Sequence, residues 1–153
     1  MIKVLFVCHG NICRSPMAEF VMKNTINKKG IEKDFYIESA ATSREEIGND
    51  MYPPVKNLLY REGVPFERRG ARQITDADYD YFDYIIGMDT ANYRNLERLT
   101  GGDPDEKVSL LLDYTNNPGP ISDPWYSRDF EKTYSEVTEG VEGLIRYILE
   151  EKD

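Results

Sequence analysis

The chain opens on a nearly unbroken apolar run, Ile2-Lys3-Val4-Leu5-Phe6-Val7, with the length and continuity of a strand covered on both faces. The period then changes to that of a helix over residues 15–28. Ser15 fits the N-cap, Pro16 the first helical position, and Lys28-Lys29-Gly30 the basic last turn and stop. Residues 35–39 predict a second strand that runs into a loop over 40–52. Pro53-Pro54 starts a helix through Val55, Leu58 and Leu59 that ends near Gly63. Thr75-Asp76-Ala77-Asp78 is a helix start with Tyr79 and Phe82 on its inner side. A third strand over 84–88, a helix over 90–99 and a fourth strand over 107–112 follow. Pro118, Pro120 and Pro124 mark a long irregular loop. From about Ser127 the positions Phe130, Tyr134, Val137, Val141, Leu144, Ile145, Ile148 and Leu149 recur at helical spacing to the end.

Strands separated by helices predict parallel pairing with right-handed crossovers. The expected fold is α/β: one domain over residues 1–153, a three-layer sandwich whose four-stranded parallel twisted sheet carries helices on both faces. In such sheets ligands bind beyond the carboxyl ends of the strands. The loop after Val7 lies there, as do Ser39, Asp89 and the loop carrying Asp123.

Composition narrows the class. A chain of 153 residues, 40% hydrophobic and 31% charged, is ordinary for one soluble globular domain. A net charge of −9 argues against nucleic acid or a membrane surface as partner. An anionic ligand would have to be captured at short range by a local cradle. No apolar stretch approaches the ~20 residues of a membrane span, and Met1-Ile2-Lys3-Val4 resembles no targeting segment. The expected setting is the cytoplasm, with reduced thiols. Two cysteines and one histidine make neither a disulfide scaffold nor a metal set, so no metal or cofactor is expected, and a monomer is the default.

The candidate chemistry is concentrated in Cys8-His9-Gly10-Asn11-Ile12-Cys13-Arg14-Ser15. Gly10 and Asn11 both tolerate positive φ. A loop between a strand end and a helix start turns several N–H groups toward one point, forming a phosphate-binding cradle. A thiol at its focus is a nucleophile. A lone cysteine is more often a small buried hydrophobe, and Asp123 before Pro124 is by itself a turn residue. The strand before Cys8 and the Arg14-Ser15-Pro16 helix start after it favour the chemical reading.

The run Val7-Cys8-His9-Gly10-Asn11-Ile12-Cys13-Arg14-Ser15-Pro16-Met17-Ala18-Glu19, together with Asp123-Pro124-Trp125-Tyr126, resembles the low-molecular-weight protein tyrosine phosphatase family. The likeness extends through Glu38-Ser39-Ala40-Ala41, Ala71-Arg72-Gln73-Ile74 and Phe82-Asp83-Tyr84-Ile85-Ile86-Gly87-Met88-Asp89. It implies a metal-independent hydrolase acting on phosphotyrosine-containing proteins, with no cofactor. Cys8 is then the nucleophile, Arg14 the bidentate phosphate clamp and Asp123 the general acid and base. His9, Gly10, Asn11, Ile12, Cys13 and Ser15 bind the phosphate, with the Ser15 hydroxyl also a donor to the Cys8 sulfur; Trp125 and Tyr126 wall the ring slot, and Ser39 supports Asn11. By the same resemblance, Cys13 is a partner for a reversible disulfide with Cys8.

Three positions depart from the family pattern. Arg69 stands where many members have a histidine joined to the Asn11–Ser39 network. Arg44-Glu45-Glu46 occupies the place of an aromatic wall residue, and His9 that of an apolar one. Protein-arginine phosphatase is the alternative activity in this fold, but there the position of Ile12 is threonine and bulky aromatics after Asp-Pro are lacking. Arsenate reduction would need cysteines after Cys13, and thiol-redox chemistry a Cys-x-x-Cys spacing.

Overall fold

In the computed structural model, which describes residues 1–152 without the side chain of Lys152, the apolar runs assemble into one sheet in the order β2-β1-β3-β4, all parallel. Its strands are β1 (Ile2–Cys8), β2 (Phe35–Ala41), β3 (Tyr84–Gly87) and β4 (Val108–Leu110). The helices are α1 (Arg14–Lys28), α2 (Pro53–Arg61), α3 (Asp76–Tyr81), α4 (Thr90–Leu99), α5 (Pro124–Ser127) and α6 (Phe130–Lys152). Short 3-10 turns span Glu32–Asp34 and Leu111–Tyr114. The expected single α/β domain is present over the described residues; Asp153, the end of the expected range, lies outside them.

Alternation along β1 builds the two cores. Val4, Phe6 and Cys8 pack with residues of α1, α2 and α6, while Leu5 and Val7 pack with Tyr79, Phe82, Ile85 and Leu96 on the α3–α4 side. The central strand therefore needs apolar side chains in both directions, which is why its sequence reads as a run.

Three expected boundaries are corrected. First, β4 is shorter than residues 107–112, because Leu111 leaves the sheet for a 3-10 turn seated on α6. Two glycines permit that approach: a Cβ on Gly140 would stand 2.4 Å from Leu111 Cγ, and one on Gly143 2.2 Å from the Tyr114 carbonyl oxygen. Second, Ser15 is not an N-cap. Helix α1 already begins at Arg14 behind Cys13, and the Ser15 hydroxyl is used elsewhere. Third, the C-terminal helical region is split, with α5 and α6 separated by Arg128 in a left-handed conformation at φ 61°. No helix of the described residues is long and apolar enough to cross a membrane.

Register places the carboxyl ends side by side, with Cys8 opposite Ala41, Val7 opposite Gly87 and Gly87 opposite Leu110. Everything chemical in the chain gathers on that edge.

Candidate active site

Asn11 shapes the loop between β1 and α1. It takes φ 58°, the left-handed region that asparagine tolerates better than most residues. It is fully buried, and its side chain is saturated. Its Nδ2 donates to Ser15 Oγ at 2.8 Å and to Ser39 Oγ at 3.0 Å, while its Oδ1 accepts from the Arg69 guanidinium and from the Arg72 N–H. Ser39 Oγ in turn donates to Glu19 Oε1 at 2.6 Å, and Lys23 Nζ holds the other Glu19 oxygen at 2.6 Å. The Asn11 network thus ends on Arg69, the position noted above as a departure from the resembled pattern. The Arg69 guanidinium also reaches the carbonyls of Asn11 and Asn49, at 2.7 and 3.2 Å. Burial lowers the Arg69 pKa against the pull of Glu19, Asp50 and Cys8, yet a guanidinium stays charged at any physiological pH.

The two loop cysteines differ in partners. Cys8 is 4% exposed, and its Sγ lies 3.0 Å from Ser15 Oγ. Ser15 stands in the first turn of α1 with its hydroxyl turned back to the sulfur, so of its two expected roles it fills the one at the thiol and not the cap. The Cys13 thiol is pushed up to about 12, mainly by burial and next by the neighbouring Cys8. It is a neutral, slow-reacting group at neutral pH. Among the described residues, the N–H groups of Gly10, Asn11, Ile12 and Cys13 meet no protein acceptor, as befits donors turned toward an anion.

Arg14 is 3% exposed, and its guanidinium is locked in place. NH1 donates to Asp89 Oδ2 at 2.8 Å and to the Ile121 carbonyl at 3.0 Å, and NH2 reaches Asp123 Oδ2 at 3.4 Å. Burial works to lower its pKa, but Cys8, Asp89 and Asp123 outweigh burial and hold it above its ordinary value. Asp123 also serves the turn in which the sequence placed it before Pro124: Oδ1 accepts from the Trp125 N–H at 3.0 Å, capping the start of α5.

These groups open into one cleft of about 230 Å³, lined by Cys8, His9, Gly10, Ile12, Cys13, Arg14, Glu45, Glu46, Asp123, Trp125 and Tyr126. Asn11, Ser15 and Ser39 lie beneath it as support. Tyr126 is 83% exposed and stands at the mouth. His9 is a rim residue, its Nε2 2.8 Å from Glu45 Oε2 with both side chains more than half exposed. Glu45 and Glu46 contribute carboxylates to the lining, while Arg44 turns aside to Gln73 at 3.1 Å.

Sequence reasoning assigned no role to Asp89, Glu19, Tyr52 or Arg128. Asp89 and Glu19 had local signals, a cap position before Thr90 and a place one turn after Ser15 on the same helix face. Tyr52 and Arg128 had none, being 76 positions apart.

Fold and cleft together define a class: a doubly wound α/β protein with a cysteine-bearing anion loop at the carboxyl edge of its central strand. Comparison with known proteins names it. The model of the low molecular weight phosphotyrosine protein phosphatase family matches residues 3–153. A low molecular weight protein-tyrosine-phosphatase of Bacillus subtilis, YfkJ, is 40% identical over 99% of both chains. The human low molecular weight phosphotyrosine protein phosphatase is 40% identical over 87% of each. The crystal structure of YfkJ superposes with a TM-score of 0.96 at 39% identity, covering 100% of this chain and 98% of that one. A Drosophila arginine phosphatase superposes at 0.88 with 31% identity, covering 96% and 98%. The chain belongs to the low molecular weight phosphotyrosine protein phosphatase family, and it is a protein-tyrosine-phosphatase.

Proposed function

We propose that this enzyme hydrolyses protein phosphotyrosine and small aryl phosphates through a cysteinyl-phosphate intermediate, acting as a monomer in the reducing cytoplasm. One observation carries the reading. A buried thiol and a locked guanidinium from one loop, and a carboxylate 109 positions beyond that guanidinium, line the same cleft.

The phosphoryl group enters over Cys8, its equatorial oxygens taken by Arg14 and the free loop amides. The Cys8 thiolate attacks phosphorus in line, and the S–P bond forms as the bond to the phenolic oxygen breaks. Asp123, as the acid, gives its proton to that oxygen. In the second half, Asp123 as carboxylate takes a proton from water, whose oxygen attacks phosphorus. The S–P bond breaks, releasing inorganic phosphate and restoring the thiolate. Ser15 Oγ, 3.0 Å from the sulfur, donates a hydrogen bond to the thiolate as attacking and as leaving group. In this scheme Asp123 handles both proton transfers, and Arg14 with the loop amides meets the charge of the phosphoryl group.

Ring selectivity follows from the walls. Trp125 and Tyr126 offer flat faces to a phenyl ring, and Ile12 adds an apolar floor where a threonine would offer a hydroxyl. Rapid acid quench during turnover of a ³²P-labelled phosphotyrosine peptide should leave label on the peptide fragment containing Cys8. Label on no cysteine would overturn the intermediate. Faster turnover of a phosphoarginine peptide than of its phosphotyrosine counterpart would reassign the substrate.

A further inference from the structure

The segment carrying Asp123 is anchored unequally on its two sides. Before it, Ile121 N–H donates to the Met88 carbonyl at 2.8 Å, Ser122 N–H to Glu136 Oε1 at 2.9 Å, and Thr133 Oγ1 to the Ser122 carbonyl at 2.9 Å. That side is bonded to the sheet and to α6. After it comes α5, a single turn of four residues, too short to hold a geometry by itself. What holds α5 is a stack in which its own Trp125 and the following Arg128 meet Tyr52 from a distant segment. Arg128 NH1 donates to Tyr52 Oη at 2.7 Å. Its guanidinium carbon sits 5.7 Å from the ring centres of both Tyr52 and Trp125. The Tyr52 and Trp125 rings are themselves 4.9 Å apart. Tyr52 N–H, finally, donates to the carbonyl of Ile12 at 2.9 Å, inside the phosphate loop. A continuous path therefore runs from the loop that holds the nucleophile to the turn that holds the acid.

Arg128 is an unusual residue for its place. It sits at φ 61° between α5 and α6, where an arginine is less favourable than glycine. Residues held in such a conformation call for a compensating contact, and the stack on two aromatic rings is that contact.

We propose that Arg128, with Tyr52, is a positioning residue for the general acid: a strap that clamps Trp125, and through it Asp123, against the phosphate loop. The inference rests on the acid role assigned above to Asp123. Arg128 touches no reacting atom in this scheme. It sets where the Asp123 carboxyl stands when the leaving oxygen needs a proton, and a displacement of about 1 Å there is worth up to ~100-fold in rate.

The test compares wild type with Arg128→Gly, Tyr52→Phe, Arg128→Lys and Asp123→Ala on aryl phosphates of graded leaving-group pKa. Arg128→Gly keeps the left-handed backbone and relieves its strain, so the fold is retained. Its kcat/KM, which reads the step that expels the leaving group, should fall about tenfold on phenyl phosphate and much less on p-nitrophenyl phosphate, with vanadate affinity unchanged. Tyr52→Phe and Arg128→Lys should fall between it and wild type. Trp125 is the single tryptophan of the chain, and its emission should shift to longer wavelength in Arg128→Gly as the guanidinium lid is lost. An Arg128→Gly enzyme whose leaving-group dependence matches wild type would overturn the strap, as would an equal loss on every substrate accompanied by weaker vanadate binding. If Asp123→Ala itself shows no leaving-group dependence, the acid assignment fails first, which separates the two failures.

Discussion

Asn11 and His9 stand two positions apart in one loop and lie in different physical regimes. Asn11 is fully buried, and its amide meets Ser15, Ser39, Arg69 and the Arg72 N–H. His9 projects into solvent toward a single partner, Glu45, itself 69% exposed. Leaving one member of a buried network without its partner costs about 1–3 kcal/mol, whereas an exposed ion pair is worth at most about 1 kcal/mol. The floor of the site is therefore built to hold a geometry, and the rim is free to vary with what must dock there. The family departures obey this division. Arg69, in the floor, is compensated by bonds to two carbonyls and an amide oxygen, while His9 and Glu45, at the rim, compensate only each other.

The sharpest break in the comparison comes from the floor. Cys8→Ser should reduce turnover of p-nitrophenyl phosphate by ~10⁴-fold or more while retaining phosphate binding, read by isothermal calorimetry. Residual activity near wild type would remove Cys8 from the chemistry. The same variant leaves Cys13 as the sole thiol. Burial, one of the influences that push that thiol up to about 12, persists without Cys8, so iodoacetamide at pH 8 should label native Cys8→Ser slowly and the urea-unfolded protein fast. Comparable rates in the two states would contradict a shielded neutral thiol.

A smaller but broader effect is expected one layer down. Asn11→Ala removes the side chain that joins Ser15, Ser39 and Arg69, so unfolding free energy should drop by about 1–3 kcal/mol and kcat by roughly tenfold, as the loop loses its left-handed anchor. Denaturant melts and steady-state kinetics read both; loss of stability without loss of kcat would show that the network serves folding alone. The least effect belongs to the rim. Glu45→Gln removes one carboxylate from the cleft mouth and should lower KM for acidic phosphotyrosine peptides by only a few-fold, since exposed charges are screened. An equal change for neutral and acidic peptides would deny the rim its selective role.

How much of this was legible beforehand depends on the range of the interaction. The Cys8 loop, the Ser39 edge and Asp123 were visible because strand, turn and helix signals are local and the two end motifs are distinctive. Of the two roles read for Ser15, the hydroxyl beside the Cys8 sulfur holds and the helix cap does not. An N-cap and a first-turn serine look alike in sequence, and only the position of the sulfur 3.0 Å away decides between them. Likewise β4 was read too long, because nothing in Leu110-Leu111-Leu112 announces that Gly140 and Gly143 let the chain descend onto α6. The aromatic support does not stand in the loop after Ser39, which carries Arg44-Glu45-Glu46. It comes from Tyr52, and it backs Trp125 rather than lining the cleft.

By itself, the sequence determined the alternation of strand and helix, the parallel sheet it implies and the chemical types gathered at the carboxyl edge, because period, capping and turn preference act over a few residues. Tertiary structure alone decided which partners those types would meet: Arg14 with Asp123 across 109 positions, Arg14 with Asp89 across 75 and Arg69 with Asn11 across 58. No local preference encodes such pairs. They are selected when the chain packs, because a guanidinium or amide buried at the end of a sheet must find its acceptors there.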